Sequence, residues 1–418
     1  MQRLRLFLFT LVLACALGAI ACVSDVGPDP NLRKESAALS VGPVAAVEFP
    51  DGFGIHGIDA TSHLWFAAVA LPPSVHVARR LTGTVLGTLP PPPEGFGAPV
   101  AVRVAPDGRV LVLDGVVAPQ AAGTAPAKLF EYVVTPTWSG FTATLIATRV
   151  LPLIPFSEIP LAFSPEPLPP FSGIFFPIMM TVLPDGAVAI SDTVTGAIWL
   201  SNAARTTYHN ALQAPQLRPL PQLSPILGKG RAPGGGTRDY ALQLTTGAYP
   251  GVFGVAYLAA TNELTIANPS GPVLWGVSYA TFASSASPTS KAASLRPLSA
   301  PVLGVTDLVA GIDTNRWDAR DPWVYFQRVA ADAAADHKNV MARVHGITGA
   351  VEVLARDSQV FDFDVAVSVV QPLLPGLRLA TIGSGVGQEE NNPSVNAILG
   401  GVGTFVAPTP IGVVFANF

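Results

Sequence analysis

Short apolar runs recur along the chain in pairs, each pair split by a polar turn. Two pairs carry Pro-Asp-Gly at the split. Residues 101–105 (Ala-Val-Arg-Val-Ala) lead into Pro106-Asp107-Gly108, and residues 109–114 (Arg-Val-Leu-Val-Leu-Asp) follow. Residues 178–183 lead into Pro184-Asp185-Gly186, and residues 187–192 follow. Asp-Gly between apolar runs is a strong hairpin signal, because a tight turn needs positive φ and glycine supplies it without strain. A third Pro-Asp-Gly stands at Pro50-Asp51-Gly52.

Four weaker copies share the layout. They pair residues 57–60 with 63–67, 254–258 with 263–268, 308–312 with 322–326, and 364–369 with 377–381. Third strands are expected at residues 128–133, 197–200, 273–277 and 340–344, and fourth strands at 142–150 and 350–355. Six such hairpins, several with added strands, predict an all-β, six-bladed β-propeller. A β-sandwich or barrel is the alternative, and the terminal Phe418 echoes outer-membrane barrel strands. The repeats lack the ten-residue alternating strands a membrane barrel needs. Spacing is uneven because of Pro-rich insertions, chiefly residues 153–172 and 214–236. In a repeat fold, insertions of this kind form loops.

The N-terminus departs from this pattern. Arg3 and Arg5 precede an uncharged apolar run, residues 6–17, and the small-residue stretch Ala19-Ile20-Ala21. That order is the secretory pattern, and the run is too short for a spanning helix. Gly18-Ala19-Ile20-Ala21-Cys22 resembles a bacterial lipobox, which implies that Cys22 is the lipidated first residue after cleavage. The expected organisation is a signal peptide over residues 1–21, a disordered tether over 22–42 and the propeller over 43–418. The expected location is the outer membrane or cell surface, with a secreted or periplasmic protein as the alternative. Membrane contact would be through the N-terminal lipid only. The other cysteine, Cys15, lies inside the signal, so no disulfide is expected in the fold.

Composition supports the strand reading. Charged residues make up 12% of the chain, and there are 41 prolines. Proline inside a helix removes a hydrogen bond and clashes with the preceding turn, so long helices are disfavoured. Net charge is −4 with no arginine run, which argues against nucleic-acid binding.

The run Leu183-Pro184-Asp185-Gly186, then Ser191-Asp192, then Gly196-Ala197-Ile198-Trp199 resembles a blade of the gluconolactonase and senescence-marker-protein family. It is also similar to blades of NHL-repeat and streptogramin-lyase propellers. The resemblance implies a channel-mouth site with a divalent metal such as calcium or zinc, held by a Glu, Asn or Asp-type ligands from different blades, and an Asp. Asp307-Leu308 matches the family's Asp-Gly position in part. The family's Asn-Gly position falls on Phe253-Gly254, and His56 stands where a Glu is expected.

The positions just before each innermost strand are read as His56, Pro99, Phe176, Phe253, Asp307 and Asp362. His56 and Asp307 are the catalytic candidates, and Asp307 and Asp362 the metal candidates. The bland alternative makes His56 a solvated channel residue and the aspartates turn caps. Residues 313–321 (Asp-Thr-Asn-Arg-Trp-Asp-Ala-Arg-Asp) form a second calcium candidate, although their spacing is not that of an EF-hand. Gly383-Ser384-Gly385 does not complete a nucleophile motif, and residues 228–236 lack the Walker ending. Trp65, Trp199, Trp275 and Trp323 are expected to pack between blades. The leading functional reading is a binding module for a small molecule or an envelope protein, acting as a monomer. The alternative is a metal-dependent lactonase-like hydrolase or lyase, and a third is a structural envelope protein.

Overall fold

The computed structural model describes residues 46–49, 53–80, 82–115, 125–155, 158, 170–175, 177–192, 195–213, 229–231, 237–239, 254–267, 274–298, 308–329, 340–356, 362–370, 379–385 and 411–417. The expected signal peptide, Cys22 and the expected tether lie outside these residues. β1 (Ala46–Phe49) is followed by five blades of consecutive strands. The first is β2 (Phe53–Ala60), β3 (Leu64–Leu71), β4 (Ser74–Arg79) and β5 (Val85–Thr88). The second is β6 (Ala98–Val104), β7 (Val110–Gly115), β8 (Lys128–Pro136) and β9 (Phe141–Val150). The third is β10 (Pro177–Val182), β11 (Val188–Asp192), β12 (Ala197–Ser201) and β13 (Tyr208–Gln213).

A two-stranded ribbon, β14 (Lys229–Arg231) with β15 (Thr237–Asp239), comes next. The fourth blade is β16 (Gly254–Leu258), β17 (Glu263–Ala267), β18 (Leu274–Ser278) and β19 (Arg296–Pro297). Two five-residue helices, α1 (Tyr279–Ala283) and α2 (Pro288–Ala292), sit between its last two strands. The fifth is β20 (Leu308–Thr314), β21 (Trp323–Val329), β22 (Val340–His345) and β23 (Val351–Arg356). A further four-stranded sheet is composite. It orders β24 (Asp362–Val370), β25 (Leu379–Gly385), β26 (Ile411–Asn417) and then β1, all antiparallel. The fold is an all-β propeller, not a sandwich or a barrel.

The expectation of six like repeats is corrected here: five units are sequential, and the composite closing sheet is assembled from both ends of the described chain. Pro50-Asp51-Gly52 lies outside the described residues, and the strands on either side of it, β1 and β2, belong to different sheets. Pro106-Asp107-Gly108 and Pro184-Asp185-Gly186 do turn β6 into β7 and β10 into β11. Gly108 and Gly186 there have φ of 81° and 86°.

The core lies in wedges between neighbouring blades. Phe66 and Val77 of the first blade pack with Val102, Val112 and Phe130 of the second. Leu111 and Leu129 of the second pack with Met180, Ile190 and Trp199 of the third. Similar clusters join the third blade to the fourth and the fourth to the fifth. Burial of apolar surface at roughly 25 cal/mol per Å² is therefore spread around the ring and does not sit in one centre. Trp65 and Trp199 are buried, in keeping with a packing role.

The innermost strands pack side by side, β2 on β6, β6 on β10, β10 on β16 and β16 on β20, while β24 touches both β20 and β2. The approach is close. A Cβ on Gly57 would stand 2.6 Å from the Ala101 Cα.

Candidate functional site

Of the channel positions expected from sequence, the three among the described residues, His56, Pro99 and Asp362, stand at different places in their strands. Four inner strands carry a one-residue bulge, and the extra residues are His56, Val100, Ile178 and Gly311. His56 is thus the fourth residue of β2, whereas Pro99 is the second residue of β6 and Asp362 the first of β24. Counting back from the hairpin turns misaligns them, because each bulge adds a residue that alternation cannot reveal. Phe176, Phe253 and Asp307 lie outside the described residues. At the bulge position, the counterparts of His56 are two apolar residues and a glycine. That set does not fit a hard cation, which needs six or more oxygen ligands.

Residues 313–321 also spend their oxygens within the fold. Asp313 accepts from the backbone N–H of Thr314 and of Val369. Asp321 accepts from Asn315 Nδ2, the Trp323 N–H and Tyr325 Oη. Asp318 accepts from the Arg320 N–H. The loop organises its own turn through these bonds. Among the described residues no three His, Cys, Asp or Glu side chains converge as a metal site.

What the fold does bring together is a cluster of guanidinium groups between the second and third blades. Glu131 of β8 is fully buried, inside the otherwise apolar run Leu129-Phe130-Glu131-Tyr132. A carboxylate taken out of water needs partners, and three arginines supply them. Arg149 of β9 donates Nε to Oε1 at 3.0 Å. Arg109, just after the Pro-Asp-Gly turn, donates Nη1 to Oε2 at 2.8 Å. Arg205, from the turn joining β12 to β13, donates Nη2 to the same oxygen at 3.0 Å. Burial pushes the Glu131 carboxyl up, but the hydrogen bonds from Arg205, Arg149 and Arg109 outweigh it and hold the group below its ordinary value.

Arg205 holds its place by two contacts. Its backbone is left-handed, with φ of 57°, a region non-glycine residues enter at a cost of about 1–3 kcal/mol. Its Nη1 donates to the Gly186 carbonyl at 2.7 Å, on the neighbouring turn of the same blade. Burial lowers its pKa, but Glu131 and Asp107 more than reverse this.

These groups line a cleft of about 390 Å³. One wall is Pro106, Asp107, Arg109 and Arg149, and the other is the Pro184-Asp185-Gly186 turn with Arg205. Asp107 stands 3.3 Å from Arg109 Nε and 3.5 Å from Arg205 Nη2. Asp185 accepts from the Ala187 N–H. The sequence reading missed this site. Its one signal was Glu131, a charge inside a strand whose neighbours are all apolar.

The second and third blades share another device. Asp114 accepts the N–H groups of Gly97 and Ala98, and Asp192 those of Phe175 and Thr195. Each aspartate stands at the end of a second strand and pins the entry to its blade's inner strand.

No family model and no curated protein matches the chain. Solved structures do. One is a calcium-binding protein, regucalcin, from Agrobacterium tumefaciens, at 9% identity and TM-score 0.48, covering 90% of this chain and 95% of that one. Another is a gluconolactonase from Xanthomonas campestris, at 10% identity and TM-score 0.48, covering 95% and 97%. A third is virginiamycin B lyase from Staphylococcus aureus, at 11% identity and TM-score 0.40, covering 82% and 85%. The likeness is one of fold.

Proposed function

We propose that this chain is an exported β-propeller acting as a binding module, with its ligand site in the cleft between the second and third blades. The observation that carries the reading is the cleft itself, whose walls present guanidinium N–H groups that the protein leaves unused. A concave site of a few hundred Å³ with a few convergent polar groups is the usual form of a small-molecule site. In this reading the composite closing sheet is the sixth blade. Cys22 carries a lipid, and residues 22–42 hold the domain off the membrane. The partner is a small molecule or an envelope protein.

The test sets this against a metal-dependent lactonase-like hydrolase working through His56, Asp307 and Asp362. The purified chain is melted in EDTA and then in calcium or zinc, and assayed on lactones and esters. The expected result is no metal-specific rise in Tm and no turnover. A rise of several degrees with turnover, both lost in Asp307→Ala, would overturn the binding reading. Saturation of a metal site at a hundred times its Kd stabilises by about 2.7 kcal/mol, enough to see.

A further inference from the structure

We propose that the cleft between the second and third blades binds a small oxyanion, a carboxylate or phosphate group, gripped by Arg149 and Arg109 with Arg205 behind them. This rests on the cleft being the ligand site and adds the chemistry of what enters it.

The donor count comes first. A guanidinium carries five N–H donors in a fixed fork. Arg149 spends only Nε, on Glu131. Its Nη1 and Nη2 meet no acceptor among the described residues. This is the edge that takes two oxygens of one anion side by side. Arg109 likewise keeps Nη2 free, with Nε and Nη1 committed to Asp107 and Glu131. Both side chains are reachable, at 30% and 39% exposed. Arg205 is 4% exposed, and its buried Nε has no partner in the fold.

The charge balance points the same way. Three guanidinium groups touch two carboxylates, Glu131 and Asp107, so the contacts among the described residues number fewer carboxylates than guanidinium groups. Asp185 lines the far wall but pairs with none of the arginines. Asp107 is a loose partner. Its contacts of 3.3 and 3.5 Å are longer than the roughly 2.7–2.9 Å of a charge-assisted bond, and its side chain is 46% exposed. A carboxylate therefore already rests against Arg109 and Arg205 without filling them, and an incoming oxyanion completes what Asp107 does poorly. The strained backbone of Arg205 fits this arrangement, since a glycine there would relieve the strain and lose the third cation.

Isothermal titration of the full chain in detergent, at low salt, uses inorganic phosphate, succinate and glucose as probes. Saturable binding of phosphate or succinate is expected, weakening as sodium chloride is added. Preference for one of the two names the group carried by the natural ligand. Arg149→Gln should weaken that binding about tenfold or more, and Arg149→Lys should weaken it too, because it keeps the charge beside Glu131 but lacks the fork. Asp107→Asn, which removes the competing carboxylate, should tighten it. A purely structural cluster predicts no binding, or binding that Arg149→Lys and Asp107→Asn leave unchanged, and either result overturns the proposal. Ala203→Trp, which fills the cleft, separates the two readings. If glucose alone binds and this variant abolishes it, the oxyanion proposal fails and the cleft stands. If binding of every probe survives the variant, both fail.

Discussion

Arg316, in the turn after β20, donates to both carboxylate oxygens of Asp59 in β2, 257 residues away along the chain. Asp59 is fully buried and also accepts the N–H groups of Ala60 and Val104. Its counterpart is Asp313. Gly57-Ile58-Asp59-Ala60 and Gly311-Ile312-Asp313-Thr314 each end their inner strand, and Asp313 accepts from Thr314 and from Val369. Each aspartate thus staples its own inner strand to the next, β2 to β6 and β20 to β24. Arg316 adds a link from the fifth blade to the first, past the closing sheet. Burial alone would lower its pKa, but the adjacent Asp59 raises it.

Removing one partner of this pair strands a buried charge. Arg316→Ala is expected to destabilise the protein by about 3–5 kcal/mol. The double variant with Asp59→Ala should lose less than the sum of the two single losses. Urea unfolding of the four proteins measures both. Simple additivity would show that the two residues act independently.

Asp114 gives a pH signature of its own. Burial raises its carboxyl to about 6, against the pull of the Gly97 and Ala98 N–H groups and of Lys128. The folded state therefore holds this proton more tightly than the unfolded chain, whose aspartate titrates near 3.9. Stability should fall as pH rises from about 4 to about 6, by roughly 2–3 kcal/mol, and this contribution should then level off. Asp114→Asn abolishes that slope, whatever its effect at any single pH. Unfolding midpoints at half-unit pH steps would reveal a slope that survives the substitution.

Glu131 has the opposite sign. Its pKa is held down, so its stabilisation is present above its unfolded value of about 4.3 and disappears as pH falls through the folded value. Glu131→Gln should lose about 3–5 kcal/mol at neutral pH, because three arginines lose their shared anchor. The gap from the parent protein should narrow below about pH 4. Melts at pH 7 and pH 3.5 compare the two, and an equal gap at both would contradict the assignment.

Gly57 limits how closely the first two blades can meet. A methyl there would stand 2.6 Å from the Ala101 Cα and 2.8 Å from the Val102 nitrogen, both backbone atoms that cannot swing aside. Gly57→Ala should destabilise by about 1–3 kcal/mol, as overpacking does. Ala101→Gly would not rescue it, since the clash is with main chain, and Tm readings of the single and double variants decide the point.

The sequence was legible where structure is local. Pro-Asp-Gly placed two hairpins, and alternation placed four third strands and two fourth strands, because turn type and pleat are set by neighbouring residues. Alternation says nothing where partners are distant in sequence. β1 and β26 are each short apolar runs, and nothing within either tells that they pair. β5 and β19 are too short to show a period. The bulges hid the register, so His56 falls on the bulge of β2 whereas Pro99 falls one residue before that of β6. The arginine cleft was hidden because Arg109, Glu131, Arg149 and Arg205 come from separate strands and turns, and only the folded sheets set them side by side.

The closing sheet imposes an order in time. β26 lies between β25 and β1, so a ribosome must deliver residues 411–417 before β1 finds the one ladder partner it has among the described residues. Until then the first strand and β25 stand as open edges, the kind that recruit another chain. Completion of the closing sheet thus waits for residues 411–417, and a chain stopped before them is the species most exposed to misassembly.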